Sequence, residues 1–136
     1  MKDSLVVDSS VAVKWYIPEN GSDRAASLLR ADLRLIAPDL LIPEVGNVLW
    51  KRRRDVPAAE IAAIADALAS ACPVSLYPSR ELLQGALLVA LACERSVYDS
   101  LYLALAVSED CPLVTADERL SNALQDTDLR EYVRLL

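Results

Sequence analysis

The chain has 136 residues, 54% of them hydrophobic and 25% charged, which describes one globular domain spanning 1–136 and excludes a disordered segment. Its apolar stretches are too short or too interrupted to span a bilayer, and Met1-Lys2-Asp3-Ser4 lacks the regions of a signal peptide, so a cytoplasmic protein is expected. A formal net charge of −6 rules out a broadly basic nucleic-acid surface but not a local basic patch.

Leu5-Val6-Val7-Asp8 reads as a short buried strand, and Ser9 and Ser10 are N-cap candidates for a helix through Val11 to Ile17. Pro18 stops that helix, Asn20-Gly21 forms a turn, and Ser22 caps a second helix reaching Ala31. Leu35-Ile36-Ala37 is the next strand, ended by Pro38. From Leu40 to Arg54 the positions Leu41, Val45, Val48 and Leu49 recur at helical spacing, with Pro43 tolerable in the first turn. Further helices are predicted over Ala58–Ala71, Ser79–Arg95 and Val97–Ser108, and a short one over Asp117–Leu124. Strands are predicted at Val74–Tyr77, Leu113–Ala116 and Tyr132–Leu135. Strands separated by helices imply a three-layer α/β/α sandwich with a mostly parallel central sheet of about five short strands.

Against this frame four acidic residues stand out, because Asp8, Glu44, Asp99 and Asp117 each interrupt or end an apolar run. A carboxylate in such a place costs stability unless it gains hydrogen bonds, a counter-charge or a metal. Two unit charges ~5 Å apart at an effective dielectric of about 20 repel by roughly 3 kcal/mol, a strain that a hard cation relieves. The chain has no His, which leaves oxygen ligands and therefore Mg²⁺ or Mn²⁺ as the fitting ions. Asp8 and Asp117 lie at strand ends, where open parallel sheets bind ligands. The plainer reading of Asp117 is an N-cap, and that of Asp99 is a first-turn acid paired with Arg95 one turn earlier. Tyr98, Tyr102, Trp15 and Trp50 read first as packing. Lys51-Arg52-Arg53-Arg54 is the one dense basic run; it either complements a helix dipole or contacts phosphate. Cys72, Cys93 and Cys111 lack metal or redox spacing and read as reduced thiols.

Asp8-Ser9-Ser10-Val11, Pro43-Glu44-Val45-Gly46-Asn47, Tyr98-Asp99-Ser100-Leu101-Tyr102-Leu103-Ala104 and Leu113-Val114-Thr115-Ala116-Asp117 resemble the four motifs of PIN-domain nucleases, most of all the VapC toxins of toxin–antitoxin pairs. The motifs occur in the family's order and cover almost the whole chain. The resemblance implies a PIN fold and Mg²⁺- or Mn²⁺-dependent cleavage of RNA, with Asp8, Glu44, Asp99 and Asp117 as the acidic cluster. Asp8 and Asp99 match the positions most directly tied to metal, while Glu44 and Asp117 match a second or water-mediated shell. Ser9, Asn47 and Thr115 match supporting polar positions. A homodimer and a small antitoxin partner are implied in the same way. Lys14, Lys51, Arg52, Arg53 and Arg54 are candidates for RNA contact that no motif names. Leu120 stands where many relatives carry an aromatic, which bears on packing. Two other readings within the PIN fold are an RNA-processing nuclease without an antitoxin and a non-catalytic scaffold. A receiver-type domain is disfavoured, because Asp8 has no acidic neighbour and no Lys follows Lys51.

Overall fold

In the computed structural model, which describes residues 3–136, every strand pairing is parallel. The strands are β1 (Asp3–Val7), β2 (Leu33–Pro38), β3 (Ser75–Tyr77), β4 (Leu113–Thr115) and β5 (Val133–Leu135), in the order β3-β2-β1-β4-β5. Val6 stands opposite both Ile36 of β2 and Leu113 of β4, so β1 is the centre of the sheet. Leu5, Val6 and Val7, Leu35 to Pro38, and Leu113 to Thr115 are buried, the continuous apolar runs required of strands covered on both faces.

The helices are α1 (Ser9–Tyr16), α2 (Ser22–Arg30), α3 (Leu41–Lys51), α4 (Ala58–Ser70), α5 (Ser79–Cys93), α6 (Val97–Ser108) and α7 (Glu118–Ala123). One group is built from α1 packed on α2 and α3, with α3 on α4; the other has α5 along α6, and α6 against β1, β2 and β4. Every residue of α6 from Ser100 to Ala106 is buried, as its nearly all-apolar sequence requires. No helix among the described residues is long and apolar enough to cross a membrane.

Local chemistry sets the element ends. Pro18 holds Ile17 extended and closes α1, and Gly21 supplies the left-handed φ of 91° that turns the chain into α2. Pro43 sits in the first turn of α3, where its missing N–H costs nothing. Several boundaries differ from the sequence reading. Asp8, not Ser9 or Ser10, caps α1, its carboxylate accepting from the Val11 N–H. Gly21 occupies the cap position of α2, while the Ser22 hydroxyl accepts from the Glu19 N–H at 2.9 Å. The basic run does not extend α3 to Arg54, because Arg52 closes a turn onto Val48 and Leu49. Tyr132 belongs to a 3₁₀ turn before β5.

Candidate functional site

The chain leaves β1 toward β2 on one side of the sheet and returns through β4 on the other, so the carboxyl ends of β1 and β4 flank a topological switch point. Asp8 lies there, immediately after β1, with only 7% of its surface exposed. Its Oδ1 accepts from Ser10 Oγ at 2.5 Å and from the Val11 N–H at 3.3 Å. Burial pushes the Asp8 carboxyl up from its ordinary 3.8 to about 6, against the pull of hydrogen bonds from Ser10, Thr115 and Val11 and with a further push from the Glu44 charge.

The Ser10 hydroxyl also ties the two strand ends together. It accepts from the Ala116 N–H at 2.9 Å and lies 3.4 Å from Thr115 Oγ1, which in turn accepts from the Asp117 N–H at 3.0 Å. Thr115, expected as a supporting residue, is fully buried in this network. The sequence points to Ser10 as an N-cap candidate rather than as a site residue. Its signal lay in the cap itself: once Asp8 caps α1, the hydroxyl two residues later faces back toward the strand ends.

Two more carboxylates arrive on helices. Glu44, in the first turn of α3, accepts from the Tyr102 hydroxyl of α6 at 2.5 Å. Burial raises the Glu44 carboxyl, the Tyr102 hydrogen bond opposes this, and the Asp99 charge adds to the rise. Asp99 lies in the first turn of α6, where its N–H donates to Ser96 Oγ at 3.1 Å and its Oδ2 accepts from Arg95 at 3.1 Å. Tyr102 is 3% exposed, and its phenol is held protonated by burial, by the bond to Glu44 and by the charges of Glu44, Asp8 and Asp99. Glu44 thus bonds this phenol directly, while Asp8 and Asp99 act on it through their charges.

Asp117 is placed differently. Its Oδ1 accepts from the Arg119 and Leu120 N–H groups at 3.0 and 3.4 Å, capping α7. It joins the others through the Thr115–Ser10 bridge rather than by a shared contact.

At Glu44 opens a groove of about 400 Å³, lined by Ser9, Leu40, Pro43, Glu44, Asn47, Val48, Lys51 and Tyr98. Of the five basic candidates, only Lys51 lines it. Lys14 and Arg52 are drawn to opposite oxygens of Glu19, at 3.0 and 3.1 Å. Arg53 stacks 3.9 Å above the Trp50 ring, and Arg54 is exposed. A larger cavity of about 730 Å³ opens among α2, β1, β4 and β5 near Arg24, Glu109 and Arg134. It contains none of the four acids, so size and chemistry point to different places, and the chemistry decides.

The family model described as the PIN domain matches residues 5–124. This chain belongs to the PIN-domain family. It is 32% identical over 120 residues to Ribonuclease VapC3 of Pyrobaculum aerophilum, covering 86% of this chain and 92% of that protein. The solved structure of PAE2754, also from Pyrobaculum aerophilum, superposes with a TM-score of 0.65 at 24% identity, covering 90% of this chain and 79% of that one. VapC20 of Mycobacterium tuberculosis, described as a sarcin–ricin-loop-cleaving toxin, gives a TM-score of 0.66 at 17% identity, covering 88% and 94%. The five-stranded α/β sandwich expected from the sequence is therefore the PIN fold, with a sheet that is parallel throughout rather than mostly so.

An all-oxygen donor set suits a hard cation, and Mg²⁺ is commonly held by one or two carboxylates with waters completing its shell. This PIN domain fits that pattern. Among the described residues no three acidic or thiol groups stand close enough to ligate one ion directly, while the Glu44 charge reaches Asp8, the Asp99 charge reaches Glu44, and all three reach Tyr102.

Proposed function

We propose that this PIN domain is a Mg²⁺- or Mn²⁺-dependent endoribonuclease, the cytoplasmic toxin of a VapBC-type pair. The observation that carries the reading is the buried Asp8 at the switch point beside a Glu44 bonded to Tyr102, both carboxyls raised chiefly by burial and further by a neighbouring acid, Glu44 for Asp8 and Asp99 for Glu44. A fold assembled for stability alone would not gather such charges. A 32%-identical relative named a ribonuclease supports the same reading.

Asp8 and Asp99 would hold the cation, directly or through water, and Asp117 would complete the shell or recruit a second ion from its cap position. When bound, the ion polarises the scissile phosphate and lowers the pKa of its water. Glu44, oriented by the Tyr102 hydroxyl, takes the proton of the attacking water as that oxygen bonds to phosphorus; the leaving ribose oxygen departs as the P–O bond breaks and takes a proton from solvent water. Thr115 and Ser10 fix Asp8 at the strand end. Ser9, Asn47 and Lys51 face the RNA along the groove, with Arg53 and Arg54 beyond it. Lys14 and Arg52 brace Glu19 and contribute to RNA contact only if that bridge opens.

The partners are RNA and a small antitoxin that covers the site, and the active form is a homodimer. Leu83, Leu87 and Leu91, exposed along one face of α5, form the kind of apolar stripe that protein partners cover. The test is cleavage of a mixed cellular RNA pool by purified protein, with Mn²⁺ or Mg²⁺ against excess EDTA, beside Asp99→Asn. Metal-dependent cutting that Asp99→Asn loses is the expected result. Equal cutting by the variant, or none by folded, metal-loaded protein, contradicts the reading.

A further inference from the structure

The groove beside the carboxylates has one feature that nuclease chemistry does not use. Tyr98 is 62% exposed; it immediately precedes Asp99 in the first turn of α6, just before the buried stretch Ser100–Ala106. Among the described residues its hydroxyl has no hydrogen-bond partner and no cation covers its ring, whereas Trp50, comparably exposed at 59%, carries the Arg53 guanidinium. The free ring forms a wall of the 400 Å³ groove.

Most of the remaining lining comes from one face of α3. Pro43, Asn47 and Lys51 line the groove at intervals of four residues, which places them in a row on a helix. At 1.5 Å rise per residue, Asn47 lies about 4.5 Å and Lys51 about 10 Å along the helix axis from Glu44. Moving along α3 from Glu44, a ligand therefore meets an amide that both donates and accepts and then an ammonium group, with the exposed Tyr98 ring lining the same groove. Ring, amide and ammonium match a base plane, a base edge and a backbone phosphate.

We propose that this groove is a nucleotide subsite: the unpaired base next to the scissile phosphate stacks on Tyr98, its edge bonds to Asn47, and the neighbouring phosphate meets Lys51. The subsite rests on the nuclease reading and assigns Tyr98, Asn47 and Lys51 the gripping of one unpaired nucleotide. A duplex keeps both faces of its bases stacked and offers Tyr98 nothing. Because every base has a π-face, stacking tolerates any sequence, and base preference at this position comes from Asn47.

The test compares binding of a fluorescein-labelled mixed-sequence RNA octamer, single-stranded and as a duplex, by fluorescence anisotropy. It uses Asp99→Asn protein with Mn²⁺, so that the RNA stays intact. Adding Tyr98→Ala weakens single-strand binding on the order of tenfold, the lower part of the range for losing one base stack, and leaves duplex binding and melting temperature unchanged. Tyr98→Phe keeps the parental affinity, because the ring and not the hydroxyl does the stacking. Lys51→Ala weakens both RNAs and lowers the salt slope by about 0.7. In the cleavage-competent background Tyr98→Ala raises KM more than it lowers kcat. Octamer affinity unchanged by Tyr98→Ala overturns the subsite while metal-dependent cutting by the unaltered protein leaves the nuclease standing. If Tyr98→Ala instead weakens only binding of the antitoxin, the groove is a protein-docking surface and the subsite is again overturned. Absence of metal-dependent cutting by the unaltered protein overturns the nuclease reading itself.

Discussion

The acidic cluster has two halves built in different ways. Asp8 stands at a strand end, nearly fully buried, with its carboxylate bonded to Ser10 and Val11 and the adjoining strand end locked through Thr115. Glu44 and Asp99 ride on helices, are partly exposed, and are each held by one long side chain, Tyr102 and Arg95 respectively. The strand half is set by backbone geometry that cannot move without breaking the sheet. The helix half is set by side chains that can exchange partners. A site of this kind keeps one carboxylate fixed and allows the others to adjust as ion and substrate enter.

Asp8→Asn breaks the rigid half and produces the largest effects. It lowers RNA cleavage on the order of 100-fold or more, while the metal-free variant melts above the unaltered protein at neutral pH, because a buried charge has gone. Parallel cleavage assays and thermal melts in EDTA check both parts. The same half sets the pH dependence. Since the folded pKa of Asp8 is raised from 3.8 to about 6, its stabilising contribution is complete below pH 3.8, declines as pH rises, and is lost above about pH 6. The difference is about 3 kcal/mol at roughly 1.4 kcal/mol per unit. Glu44, raised also, acts with the same sign. Denaturant melts of metal-free protein from pH 4 to pH 8 should show this fall, and Asp8→Asn should flatten most of it.

In the adjustable half, Tyr102→Phe removes the hydroxyl that Glu44 accepts from. Cleavage falls roughly tenfold, the cost of one hydrogen bond to a charged group. The acid limb of the pH–rate profile moves upward, because the bond that opposed the rise in Glu44 is gone. Arg95→Met has the smallest effect. Both partners of its pair with Asp99 are about a third exposed, at 27% and 35%, so the fold loses less than about 1 kcal/mol. Freed of a competing cation, Asp99 gains affinity for Mn²⁺ by a few fold, measurable by calorimetry.

Features carried by adjacent residues were legible in the sequence. The bounds of α6 agree end to end with the Val97–Ser108 prediction, because Ser96 caps it and the apolar run has no break. The Arg95–Asp99 pair follows from four-residue spacing alone, and both Asp8 and Asp117 lie at strand ends as the apolar runs before them required. Asp117 also proved to be the cap that its plainer reading described. Distant pairings were not legible. Nothing near Glu44 indicates that Tyr102, 58 residues later, will bond it, nor that Lys14 and Arg52 will share Glu19. Two of the five basic candidates are thereby turned to structural work. Tyr98 read as packing because aromatic residues usually pack, and only the three-dimensional position of α3 shows that its ring is left bare.

The central claim is that Asp8 and Asp99 hold a divalent cation, and Mn²⁺ titration by isothermal calorimetry tests it most directly. The unaltered protein should bind Mn²⁺ saturably, releasing protons when titrated below pH 6, because Asp8 must ionise to serve as a ligand. Asp8→Asn and Asp99→Asn should each weaken binding at least about tenfold. Undiminished Mn²⁺ binding by both variants would contradict the assignment of the site.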